Sequence, residues 1–180
     1  MTSFTIETPK GVPRLICQAR LDARSDFEDI VRALSAFKCK VFRARKISFV
    51  AARQAAAAEA VETRYNGRES QNTAKPGDWI VTNMDEARNI IRDAENCANT
   101  YVIQPDAFAR LYDRSSGSSP FGDIYKAKGV VDAIEVAGGF DIVAPWGERQ
   151  QGPGGYLLRN GDDVYGIHKD AFDRTYEIVP

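Results

Sequence analysis

The chain repeats itself, and that limits its fold more than anything else in it. Residues 101–113 read YVIQPDAFARLYD and residues 165–177 read YGIHKDAFDRTYE. Seven of these thirteen positions are identical: Tyr101/Tyr165, Ile103/Ile167, Asp106/Asp170, Ala107/Ala171, Phe108/Phe172, Arg110/Arg174 and Tyr112/Tyr176. Ordinary residue usage, roughly 6% per position, gives about one match by chance. The likeness runs upstream. Pro76–Asn83 faces Pro153–Asn160, and Val41–Lys46 faces Ile124–Gly129. More weakly, Tyr65-Asn66-Gly67-Arg68 faces Pro145-Trp146-Gly147-Glu148. Two copies are too few for a solenoid, so each keeps a small core of its own or pairs with the other.

Local chemistry sketches each copy. Trp79–Thr82 and Tyr156–Arg159 are β-type runs that follow Pro-Gly turns. In the second copy, Tyr156–Arg159 and Val164–His168 flank Asn160-Gly161-Asp162-Asp163, the pattern of a hairpin. In the first copy, Met84–Thr100 replaces the tip, and Ala87, Ile90, Ile91 and Ala94 predict a helix with one apolar face. Each hairpin leads to Asp-Ala-Phe-x-Arg-x-Tyr. Asp–Arg and Phe–Tyr both stand at i, i+4, which predicts a helical turn that carries Phe108 or Phe172 into a core. The shorter second copy should have less core to spare when its Phe is removed.

Val130–Val136 and Phe140–Val143 read as strands. The alanines of 55–60 favour a helical excursion between strands at 41–50 and 61–65. Ahead of the repeat, Ser25-Asp26-Phe27-Glu28 fits a capping box. Phe27, Ile30, Val31, Leu34 and Phe37 then recur at helical spacing, predicting a helix over 26–38. Thr2–Glu7 and Leu15–Arg20 read as strands before it. The expected class is α+β: two tandem small β-rich modules with a helix-containing extension. The extension is 1–40, the first module 41–113 with a helical insertion at 84–100, and the second module 124–180. Arg114-Ser115-Ser116-Gly117-Ser118-Ser119-Pro120 has linker chemistry, so 114–123 is expected to join them.

Composition narrows the function. Lys plus Arg is 24 and Asp plus Glu 25, a net charge of −1, which argues against a strongly basic, sequence-independent nucleic-acid binder. No apolar run reaches the roughly 20 residues of a membrane helix. Residues 1–7 lack the pattern of an export signal, and the three cysteines, Cys17, Cys39 and Cys97, form no CxxC pair. The expectation is a cytoplasmic protein with reduced thiols, without membrane contact, metal or cofactor. No catalytic constellation stands out. An enzymatic reading would need His168, Asp170 and the Asp162-Asp163 tip to converge.

Five residues are the candidates for binding. Arg43 and Arg45, like Lys126 and Lys128, put two cations on one face of a strand in each copy. They could meet the phosphates of a ligand, or guard an edge strand against pairing with another chain. Trp146, aligned with Asn66, lies in a turn-like setting and could stack a base, whereas Trp79 reads as core.

The Pro76-Gly77-Asp78-Trp79-Ile80 turn and strand, Ile124-Tyr125-Lys126-Ala127-Lys128 and Phe172-Asp173-Arg174-Thr175-Tyr176-Glu177 resemble the motifs of small bacterial and phage-encoded proteins. Those open on a basic "YRKKP"-like strand and end in "PGDWI…F-x-x-TY". The first copy has Leu111 where the pattern has Thr, and the second has Gly155-Tyr156 where it has Asp-Trp. The resemblance covers both copies but not residues 1–40, and it implies the module without an activity. The leading expectation is a non-catalytic binding protein for a macromolecular partner. The alternative is a nucleotide or nucleic-acid binder that uses the four cations and Trp146 on a phosphate-containing ligand.

Overall fold

A computed structural model describes residues 3–21, 23–65 and 68–180. Strands β1 (Thr5–Glu7) and β2 (Arg14–Arg20) precede helix α1 (Ala23–Ser35). Then come β3 (Phe42–Lys46), β4 (Phe49–Gln54), β5 (Glu59–Tyr65), β6 (Arg68–Ala74), β7 (Trp79–Asn83) and β8 (Thr100–Ile103). Helix α2 (Pro105–Leu111) leads into β9 (Tyr112–Ser119) and β10 (Gly122–Ala127). After β11 (Val130–Val136), β12 (Phe140–Val143), β13 (Arg149–Gly152), β14 (Gly155–Asn160) and β15 (Asp163–His168), helix α3 (Lys169–Thr175) runs into β16 (Tyr176–Val179). The architecture is mostly β, so α+β describes it only coarsely. Thr2, placed in the first strand by sequence, lies outside the described residues, as do Asn66 and Gly67.

Two sheets have five strands, ordered β8-β7-β4-β10-β9 and β15-β14-β11-β3-β16. Place for place these are one order. The hairpin β7–β8 corresponds to β14–β15, β4 to β11, and the strand after each short helix, β9 or β16, closes the edge. The fourth place is filled crosswise. β10, which opens the second copy of the repeat, lies between β4 and β9; β3, which opens the first, lies between β11 and β16. Accordingly the chain divides into unit 1, residues 1–44, 130–173 and 178–180, and unit 2, residues 45–129 and 174–177. These limits differ from the modules read at 41–113 and 124–180.

In unit 1, α1 buries Phe27, Ile30 and Leu34 with Leu15, Ile134, Phe140, Ile142 and Leu157. Full burial of side chains of this size contributes about 1.5–3 kcal/mol each. The sheet β1-β2-β12-β13 shares this core, with β2 and β12 parallel. The helix runs from Ala23 to Ser35, three residues earlier than the sequence suggests, so Ser25 lies inside it. Phe37 and Lys38 donate to the carbonyls of Leu34 and Ser35, and Lys38 takes φ +62°, which turns the chain out of the helix. Phe37 therefore leaves the apolar face whose spacing it continues and stands 39% exposed.

Unit 2 corrects three further expectations. Residues 84–100 contain no helix. They form two successive tight turns closed by the bridges Met84–Ile90 and Arg92–Ala98. The Asp85 carboxylate accepts from the Asn89 amide and the Asp93 carboxylate from those of Glu95 and Cys97, while Arg88 and Asn96 take positive φ. A side-chain acceptor that matches the turn's own amides outweighs helix propensity in so short a segment. The alanine run is no helix: it forms the bend after β4 and the start of β5, with Ala55 buried beside Val61, Ala74 and Ile80. Lastly, the Ser/Gly segment at 114–123 is not an open linker: it is most of β9, a turn and the start of β10, an antiparallel hairpin.

Candidate functional site

The repeated motif builds the same aromatic arrangement in each unit. In unit 2 the rings of Trp79 and Phe108 stack at 3.9 Å, and Tyr125 meets both edge-on, at 5.4 and 4.9 Å. In unit 1 Tyr156 and Phe172 lie 4.1 Å apart, and Phe42 meets both edge-on, at 5.8 and 5.9 Å. Phe108 and Phe172 are each 3% exposed, and Tyr112 and Tyr176 are also buried. These rings hold α2 and α3 on their sheets. Trp79 belongs to this packing, as its sequence setting suggests.

The four candidate cations fall into two kinds. Arg45 on β3 pairs with Glu177 on β16, and Lys128, just past β10, pairs with Asp113 on β9 at 2.6 Å. The pairs are equivalent: Glu177 follows Tyr176 as Asp113 follows Tyr112. They join neighbouring strands at a sheet edge, where exposed ion pairs contribute about 0–1 kcal/mol. Arg43 is exposed on β3, and Lys126 lies 5.7 Å from the ring centroid of Phe49, its cross-strand neighbour. Trp146 is half-buried in the β12–β13 turn. Its indole N–H donates to Glu148 at 3.2 Å, and its ring lies 6.3 Å from that of Tyr165. Its counterpart Asn66 lies outside the described residues. The five candidates thus sit on or beside three different sheets.

The residues an enzymatic reading needs do not converge. Asp163 and His168 are the two ends of β15, about 16 Å apart at the rise of an extended strand. His168 Nδ1 accepts from the Asp170 backbone amide at 3.1 Å, and burial lowers its pKa against the opposing charge of Asp170. Among the described residues, no group of three or more His, Cys, Asp or Glu could hold a metal ion. No helix among them is long and apolar enough to cross a membrane.

Two features escaped the sequence reading. In unit 2 the Lys46 ammonium meets Asn83 Oδ1, Tyr101 Oη and Tyr112 Oη at 3.0–3.1 Å. Tyr101 donates in turn to Asn83 at 2.9 Å. The three N–H donors of Lys46 thus have three acceptors, which ties the end of β3 to β7, β8 and β9. Tyr101, Tyr112 and Asn83 recur as Tyr165, Tyr176 and Asn160, but Gly129 stands at the place of Lys46. The repeat motif could have pointed to the tyrosines, but not to the lysine.

The second feature is a groove of about 580 Å³ in unit 1, within the usual size of a ligand site. Val12, Pro13, Phe37 and Phe42 supply much of its apolar surface, and Lys38, Lys40, Cys39 and Glu135 also line it. Its walls are preformed. The Gly138 amide donates to the Pro13 carbonyl at 2.8 Å and the Leu15 amide to Gly139 at 3.0 Å, which fixes the turn before β2 against the one after β11. Burial, with the charge of Glu135 adding to it, pushes the Cys39 thiol up and keeps it protonated at neutral pH. Compared with known protein families, curated proteins and solved structures, the chain finds no match.

Proposed function

We propose that this chain is a non-catalytic binding protein built on a duplicated β-rich module, and that it recognises a macromolecular partner through the unit 1 groove. One observation carries the reading. Five large apolar side chains are well exposed among the described residues; two of them, Val12 and Phe37, line the groove, and a third, Val41, falls between two residues that line it. Exposed apolar groups scattered singly need no explanation, but a cluster around a preformed concavity is the mark of a contact surface. The groove is also where the copies differ. The aromatic trio and the edge ion pair occur in both five-stranded sheets and belong to the scaffold. The turn before β2 and the end of α1, which build the groove, come from residues that have no counterpart in the repeat.

The test is selection of random 12-residue peptides on the full chain, followed by counter-selection on a Val12→Ser/Phe37→Ser variant. The reading expects peptides that lose their binding to the variant. Peptides retained equally by both proteins, or robust turnover of a substrate abolished by a point change elsewhere, would overturn it.

A further inference from the structure

We infer that the groove takes an acidic, apolar segment of a partner protein; this rests on the binding role proposed above and adds the chemistry of the partner. Phe37 and Val12, about 40% exposed, with Phe42 and Pro13 offer apolar surface for large side chains. Lys38 and Lys40 stand at the groove, and Lys10 adjoins Gly11 in its wall; Glu135 is the one acid that lines it among the described residues. The cations are unmatched. Elsewhere on the surface some cations are paired, Arg32 with Asp29, Arg53 with Glu59, Arg159 with Asp132 and Lys169 with Asp173, whereas Arg43 and Lys75 stand singly among the described residues. Lys10, Lys38 and Lys40 have no such partner among the described residues. Carboxylates brought by a ligand would complete them.

The apolar share of the lining decides the class of ligand. A polynucleotide gains its affinity from cations that follow a line of phosphates, with aromatic faces on which bases stack. Here Val12, Pro13, Ala36, Phe37, Phe42 and Ala137 outnumber the two lysines and one acid among the lining residues. Such a surface suits a protein segment, whose contacts combine apolar and polar groups, better than a phosphate backbone. The lysines then act mainly on encounter rate and on choice of partner.

The experiment uses the full chain and four fluorescein-labelled probes. The first is a 12-residue peptide in which Leu and Phe alternate with Asp and Glu. The second has Lys in place of every acid, the third has Ser there, and the fourth is a single-stranded DNA oligonucleotide. Anisotropy titrations should give the acidic peptide an affinity at least about ten times that of the other probes, falling as salt is raised. Lys38→Glu/Lys40→Glu should abolish that preference and favour the lysine peptide. Phe37→Ser should weaken the acidic peptide about tenfold without changing its salt dependence. All three residues are exposed, and a far-UV spectrum and melting curve check that each variant is folded. If the acidic and serine peptides bind equally and the double lysine variant binds both as well as the parent does, the charge inference falls while the binding role stands. If Phe37→Ser changes nothing, or no peptide binds, both fall. Tightest binding of the oligonucleotide, lost on lysine reversal, would assign the site to a nucleic acid instead.

Discussion

Phe108 and Phe172 hold equivalent places, and cutting either to Ala should cost about 3–5 kcal/mol, read from urea unfolding. Phe108 should be at the upper end, because it stacks flat on Trp79 and also meets Tyr112 and Tyr125. This reverses the order expected from copy length, which assumed a helical insertion over 84–100. His168 allows a pH test because it is the only histidine. Burial lowers its folded pKa below the usual value of about 6.5. Below that pH the unfolded chain takes up a proton that the folded chain resists, so stability present above about pH 6.5 is lost on acidification. His168→Gln should flatten the stability curve between about pH 6.5 and 5, measured by urea midpoints at each pH. The aromatic anchors were legible in the sequence because Phe and Tyr at i, i+4 is a local pattern. Phe37 was not. Its spacing continues the apolar face of α1, but the helix ends two residues before it, and periodicity alone cannot reveal an ending set by a left-handed turn at Lys38.

Among the elements, the β9–β10 hairpin rests on close backbone approach. A Cβ on Gly122 would lie 2.3 Å from the Ala52 carbonyl oxygen, and its φ of +125° suits no L side chain. Gly122→Ala should cost about 2–4 kcal/mol in a thermal or urea melt, because β10 would have to part from β4. The turn at 93–97 depends on one side chain. Asp93→Ala removes acceptors from two amides and should cost about 1–2 kcal/mol, with hydrogen exchange rising at Glu95 and Cys97. Most strands and both short helices could be read from alternation, Pro-Gly turns and i, i+4 pairs. The 84–100 insertion misled because acids early and alanines within fit helix propensity, whereas the Asp85 and Asp93 acceptors that decide the matter act only once the turns are closed. The Ser/Gly run of β9 has linker composition, and only its pairing with β10 makes it a strand.

At the scale of the molecule, the crosswise placing of β3 and β10 was not legible, because a likeness between two stretches of sequence carries no record of which sheet receives each strand. The site was less legible still. The cations chosen for being repeated include two that are tied to edge-strand acids, while the groove is formed largely by residues outside the repeat. β3 and β16, neighbours in one five-stranded sheet, are each divided between the two units: residues 42–44 and 178–179 fall in unit 1, and residues 45–46 and 176–177 in unit 2. Unfolding should therefore be one transition. Trp79 lies in unit 2 and Trp146 in unit 1, and they are the only two tryptophans. Trp79→Phe and Trp146→Phe each leave one reporter. In each variant its fluorescence midpoint in urea should match the far-UV midpoint, and a gap beyond about 0.5 M would mean that the units open separately.

Unit 1 is assembled from residues 1–44 and 130–173, with nearly all of unit 2 in the stretch between. On a ribosome this becomes a matter of time. Leu15, Phe27, Ile30 and Leu34 leave the exit tunnel early, yet Phe140, Ile142 and Leu157, which share their core, are not yet made. At about 5–20 residues per second, some 6–25 seconds of synthesis separate β2 from its parallel partner β12. During that interval unit 2 can close around its own rings, while the amphipathic α1 has only Leu15, Cys17 and Leu21 from its core to pack on.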